Sequence, residues 1–138
     1  MSDSIPSKIK IEFIPHKTHK FSTVGYWFIE GDLLTIQISN EICWQYKAAV
    51  LAHELIEVLF CILNGITTVE CDNFDALFEK KYELGLVPKS VEPGFDRHCP
   101  YRKGHIWGCR LERFIIFLLN ESWKDYLKTC DDLMGIKE

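Results

Sequence analysis

No two of the six cysteines in this 138-residue chain form a CxxC pair, and none is needed as a staple. A single domain of this length buries about two-thirds of its unfolded surface, so the cysteines read as reduced thiols, mostly filling core. The opening residues MSDSIPSKIKIEF show no charged-then-apolar signal pattern and no lipidation motif. No apolar run is long enough for a membrane: the most apolar stretch, 48–63, falls short of the roughly 20 residues a span needs and carries His53, Glu54 and Glu57. The expectation is a cytoplasmic protein without a membrane partner. Positive charge is not in excess either. The net charge of -4 argues against a protein that blankets the phosphates of duplex DNA. Repeats and low-complexity tracts are also missing. What remains, with 47% hydrophobic and 26% charged residues, is the composition of one globular domain over 1–138.

The first forty residues read as strands, together about 8–39. Ile9, Ile11 and Phe13 alternate with Lys10 and Glu12, the period of a half-buried strand. Val24–Glu30 is aromatic and β-branched, Gly31-Asp32 is a turn signal, and Leu34, Ile36 and Ile38 alternate again. These predict a hairpin with the first strand pairing at its edge.

From residue 41 the period changes. Cys43 to Leu63 lacks Gly and Pro, is apolar on nearly every face after Lys47, and stops at Asn64-Gly65, which predicts a central buried helix over about 41–64. A second helix fits 73–84 with Asp72 as N-cap. A third runs about 105–120, and Ser122 with Asp125 predicts a short last helix over 122–133. Between them, 85–104 holds three prolines and three glycines without periodicity. A loop of that length in a small domain is more often functional than not. The expected class is α+β: a small N-terminal antiparallel sheet packed against three or four helices.

The chemistry concentrates in AVLAHELIEVLF, positions 48–59. His53 and Glu57 are four apart and leave the same helix face, with Glu54 turned about 100° away. Ionisable groups inside an apolar helix cost several kcal/mol each unless paired or bound to a metal. An imidazole and a carboxylate at i and i+4 can share one divalent ion, and Glu54 could then take the proton of a metal-bound water, as in HExxH metalloproteases. Here the second histidine position is Glu57, so the motif is HExxE. His105 is the best third ligand. Cys109 and Glu112, four and seven residues on, share its face, and Glu112 could be a further ligand or could orient a ligating histidine. Asp75 and Asp96 are reserve ligands. Zinc is the first expectation, with magnesium or manganese as alternatives.

Leu34–Ser39 running directly into an HE-containing helix resembles the minimal zincin arrangement, which implies a strand that holds an extended substrate. The stretch from Trp27 to Tyr126 also resembles a group of small phage and prophage proteins with a tryptophan-rich hairpin, an HExxE helix, an FDxxFE helix and a PYxxxHxxAxxxE segment. This chain supplies Trp27, His53 to Glu57, Phe74-Asp75 with Phe78-Glu79, and Pro100-Tyr101 with His105, Cys109 and Glu112. That resemblance implies a site more than a chemistry.

Plainer readings stand beside these. His53 and Glu57 also suit a buried ion pair, and Asp72 and Asp75 suit helix capping. His105 suits an ordinary helix start, and the tryptophans and phenylalanines are core by default. A second enzyme class is open too. Glu54/Glu57 and Asp72/Asp75 resemble the magnesium-binding ExxE and DxxD helices of the all-α nucleoside triphosphate pyrophosphatases. Residues 97–113 carry five Arg or Lys against one acid, suiting a phosphorylated substrate rather than a peptide. A non-enzymatic protein that binds a host factor, or a homodimer through the aromatic hairpin, completes the alternatives.

Overall fold

The computed structural model describes residues 5–136; residues 1–4 and 137–138 of the expected domain lie outside the described residues. The β-branched and aromatic stretches form strands as anticipated: β1 (Lys8–Ile14), β2 (Gly25–Glu30) and β3 (Leu33–Ser39). β2 and β3 are an antiparallel hairpin with Trp27 opposite Ile36 and Ile29 opposite Leu34. Gly31 opens its tight turn at φ 61, a left-handed conformation glycine takes without steric cost.

β1 does join the hairpin at an edge, but it runs parallel to β3, Lys8 opposite Leu33 and Ile14 opposite Ser39. The sheet is therefore mixed, in the order β1-β3-β2, rather than wholly antiparallel. Alternation fixes which face a strand shows and carries nothing about its direction. The direction is set by the connection over residues 15–24, which crosses the end of β3. There Asn40 N–H donates to Ile14 O (2.8 Å) and Ser39 N–H to Val24 O (2.9 Å).

Two consequences correct the sequence reading. β3 has a neighbour on each side, so it offers no free edge to an extended substrate. The apolar side chains of β1 are not half-buried: Ile9, Ile11 and Phe13 are 60%, 45% and 51% exposed.

The central helix α1 (Trp44–Leu63) packs on β2 and β3 and buries Val50, His53, Glu54, Glu57, Val58 and Cys61. Helix α2 (Thr68–Glu83) starts earlier than expected. A capping box decides it: Glu70 N–H donates to Thr67 Oγ1 (3.1 Å) and Thr67 N–H to the Glu70 carboxylate (3.4 Å). Asp72 is thus an interior helix residue, not a cap. Helix α3 (Arg102–Leu118) begins three residues ahead of His105 and lies against α1. Helix α4 (Trp123–Met134) is capped by Ser122, which accepts from Asp125 N–H at 3.2 Å, and it ends at Gly135. The class is α+β, with four helices.

Leu34, Ile36, Ile38, Val58, Ile116 and Tyr126 form the driest part of the core. Several aromatics expected there are at the surface, among them Trp44, Trp107 and Phe117. No helix among the described residues is long and apolar enough to cross a membrane.

Candidate metal centre

α1 and α3 come close enough to share a site because Gly108 faces α1. A Cβ at that position would stand 3.0 Å from the His53 carbonyl oxygen and 3.1 Å from its ring. In this narrow gap three donor atoms converge. His53 Nε2 lies 3.1 Å from Glu57 Oε2 and 3.1 Å from His105 Nδ1, and His105 Nδ1 lies 3.1 Å from the same Glu57 oxygen. Donors bound tetrahedrally to an ion at about 2.0–2.1 Å stand about 3.3 Å apart, so the triangle is close to the size of a metal face.

The far side of each donor is also held. His53 Nδ1 meets Glu112 Oε1 at 2.8 Å, and the other Glu112 oxygen accepts from Tyr126 O–H. His105 Nε2 meets Glu92 Oε2 at 3.0 Å, and Trp27 Nε1–H donates to Glu57 Oε1 at 3.1 Å. Carboxylates behind both imidazoles are the partners that usually fix the tautomer of a ligating histidine.

The structure brings together four of the sequence candidates: His53, Glu57, His105 and Glu112. It adds Cys109, whose thiol lies 3.6 Å from His105 Nε2. Ligand atoms of His53, His105 and Cys109 all fall within 4.8 Å of one another, and that group could hold a metal ion. Glu92 and Trp27 were missed. Glu92 belongs to an aperiodic loop that gives no positional signal, and Trp27, read as core or as part of the resembling hairpin, carried no role beside Glu57.

Asp96 is not part of the centre. Its carboxylate accepts from His98 N–H at 2.8 Å and stays in the loop.

Glu54 lines a cavity of about 130 Å³ together with His53, Glu57, His105, Asp72, Asp75, Glu92 and the aromatic rings of Phe21, Tyr26, Phe78 and Tyr82. Gly25 makes room for it, since a Cβ there would sit 2.7 Å from Glu54 Oε1. Burial, reinforced by the charge of Glu57, pushes the Glu54 carboxyl up from 4.5 to about 8. Asp75, on which Tyr101 O–H donates at 2.5 Å, is likewise raised by burial to about 7. Burial acts the same way on Glu57, but hydrogen bonds from His105 and His53 outweigh it and hold that carboxyl down at about 2. Burial disfavours charge on His53 and His105, yet their thiol and carboxylate partners win and raise both imidazoles.

The signs predict a pH profile for the metal-free protein. Groups raised in the folded state (Glu54, Asp75 and the imidazoles) contribute fully below their ordinary values and lose that contribution as pH rises towards the folded values. Glu57, lowered, contributes fully above 4.5 and weakens only towards about 2. Between pH 5 and 8 the contributions of the raised groups fall. His16 and His19, whose imidazoles burial lowers, His19 to about 4, act the other way and only up to about their ordinary 6.5, so the fall is unopposed by them above that value. The melting temperature of chelator-treated protein should drop above that value; a flat or rising curve there would contradict these environments.

No family model, curated protein or solved structure matches the chain.

Proposed function

We propose that this protein is a divalent-metal-dependent hydrolase in which His53, Glu57 and His105 hold the ion and Glu54 is the general base. One observation carries the reading, the closed triangle of His53 Nε2, Glu57 Oε2 and His105 Nδ1 with every side at 3.1 Å. Hydrogen bonds alone do not satisfy it. Each ring nitrogen can either donate or accept, and the carboxylate oxygen supplies no proton of its own, so at most two sides can carry a hydrogen. A cation accepts lone pairs from all three at once. Two nitrogens and one oxygen suit zinc first and leave manganese or magnesium as alternatives.

The ion would supply electrophilic polarisation of water and of the substrate carbonyl. Glu54, in a cavity and with its carboxyl near neutrality, suits proton transfer at working pH. Glu92 and Glu112 hold the imidazoles in orientation. The substrate class is a peptide or amide. Because β3 is paired on both sides, substrate would enter the cavity as a small molecule or a chain end rather than as an added strand.

A second reading, a magnesium-dependent nucleotide pyrophosphohydrolase, has one observation in its favour: Glu54, Glu57, Asp72 and Asp75 all line the same cavity. Against it, both Asp72 oxygens accept from Tyr26 O–H, and one is also paired with Lys20. Among the described residues Lys89 is the single Lys or Arg in the lining, so the basic residues of 97–113 are not placed to receive phosphates.

The test is elemental analysis of purified, tag-free protein. Near one zinc per chain is expected, lost in His53→Ala and His105→Ala but kept in Cys109→Ala. Loss in Cys109→Ala would move the ion to the His53–His105–Cys109 group. A native protein without tightly held metal would sink the reading, and magnesium-dependent nucleotide hydrolysis would then support the second.

A further inference from the structure

The exposed apolar face of β1 has no counterpart elsewhere in the sheet. In the pairing with β3, Ile9, Ile11 and Phe13 stand opposite Leu34, Ile36 and Ile38, which are buried to 1% or less. The three therefore belong to the core face of the sheet, yet α1 packs mainly on β2 and β3 and leaves them 45–60% exposed. Lys47, whose ammonium sits 4.8 Å from the Phe13 ring centre, is a thin cover at one end.

The backbone of β1 is equally open. Lys8 N–H donates to Asp32 O and Ile14 O accepts from Asn40 N–H, so the even-numbered residues turn their amides to β3. Amides alternate along a strand. Those of Ile9, Ile11 and Phe13 point to the outer edge, where no described segment pairs with them.

We propose that β1 is a homodimer interface, pairing antiparallel with β1 of a second copy about a two-fold axis at Ile11. The sequence KIKIEFI is self-complementary in this register. Ile11 faces Ile11, and Ile9 faces Phe13 on the core face. On the other face Lys10 stands opposite Glu12, twice. The hydrogen-bond phase agrees as well. With the axis at Ile11, all three outward-pointing residues fall at hydrogen-bonded positions, giving about six backbone bonds.

Lysine on an edge strand normally deters such pairing. Here the deterrent is cancelled in this register alone among its neighbours, because a shift of the axis by one residue sets Lys10 against Lys10 or Glu12 against Glu12. The dimer would merge two sheets into one of six strands and close the apolar strip between the two α1 helices. The surface is isologous, as a two-fold interface requires.

The experiment is light scattering coupled to size-exclusion chromatography on the full chain, at about 100 micromolar, well above the dissociation constants of ordinary specific interfaces. Twice the chain mass of 16.1 kDa is expected. Lys10→Glu and Glu12→Lys, each placing like charges opposite, should raise the dissociation constant about tenfold or more. The double charge swap should restore it. Ile11→Pro removes a donor that faces outward and spares the ladder to β3, a position where an edge strand tolerates proline; it should be a folded monomer by circular dichroism. A monomeric native protein overturns the proposal. So does a dimer indifferent to the two charge reversals and to Ile11→Pro, or one that the double swap fails to rescue.

Discussion

Glu54→Gln is expected to abolish turnover while leaving the metal in place. The amide keeps the volume of the carboxyl and its cavity beside Gly25 but cannot accept a proton, and positioned general bases contribute about 10²–10⁴-fold to rate. The hydrolysis of a panel of chromogenic aminoacyl anilides should fall by that factor, with metal content unchanged from the native protein. A separate readout guards against damage to the fold. At pH 8 the native chain carries a buried carboxyl close to its pKa, and the neutral amide removes the cost of ionising it. Glu54→Gln should therefore melt no lower than the native protein at that pH. Full activity in this variant would remove Glu54 from the mechanism.

Gly94→Ala is expected to damage the site more than the fold. Gly94 packs its backbone against the His105 ring so closely that a Cβ would come within 2.3 Å of it. The ring is wedged between α1 and this turn and cannot simply swing aside. Either His105 leaves the triangle or the turn at Pro93–Phe95 lifts away and takes Glu92 with it. Loss of a supporting partner costs metal affinity about 10–100-fold, and displacement of the ligand itself costs at least as much. The fold should tolerate the change better than the site does, because the loop keeps a tie away from Gly94, where Tyr82 O–H donates to Val91 O. Competition with a metallochromic chelator measures the affinity, and thermal melting of the metal-free protein measures the fold. Unchanged affinity would mean that His105 is no ligand.

α1, the hairpin and α4 were legible nearly to their ends from local patterns, since helix period, turn glycines and a serine cap each act within a few residues. The convergence of His53, Glu57, His105 and Glu112 was legible for a similar reason: buried ionisable groups need partners, and chain spacing put each pair on one helix face. The early start of α2 was also readable. Thr67 and Glu70 have capping-box spacing, which competed with the acid at 72. Tertiary matters were not readable. The parallel course of β1 depends on a crossing at the end of β3, and the exposure of its isoleucines depends on where α1 comes to rest. Glu92 reaches His105 only because the loop folds back over α3.

The three donors are split between two helices, with His105 48 residues beyond Glu57 and 52 beyond His53. A chain that has formed either helix alone offers at most two of them, in α1, or one, in α3. The full coordination face exists only after the helices have docked, which places it late on the folding route. Contacts absent from the transition state change the unfolding rate and leave the folding rate nearly untouched. A bound ion would thus act on this molecule as a brake on opening, lengthening the life of the native state, and not as a template that hastens its assembly.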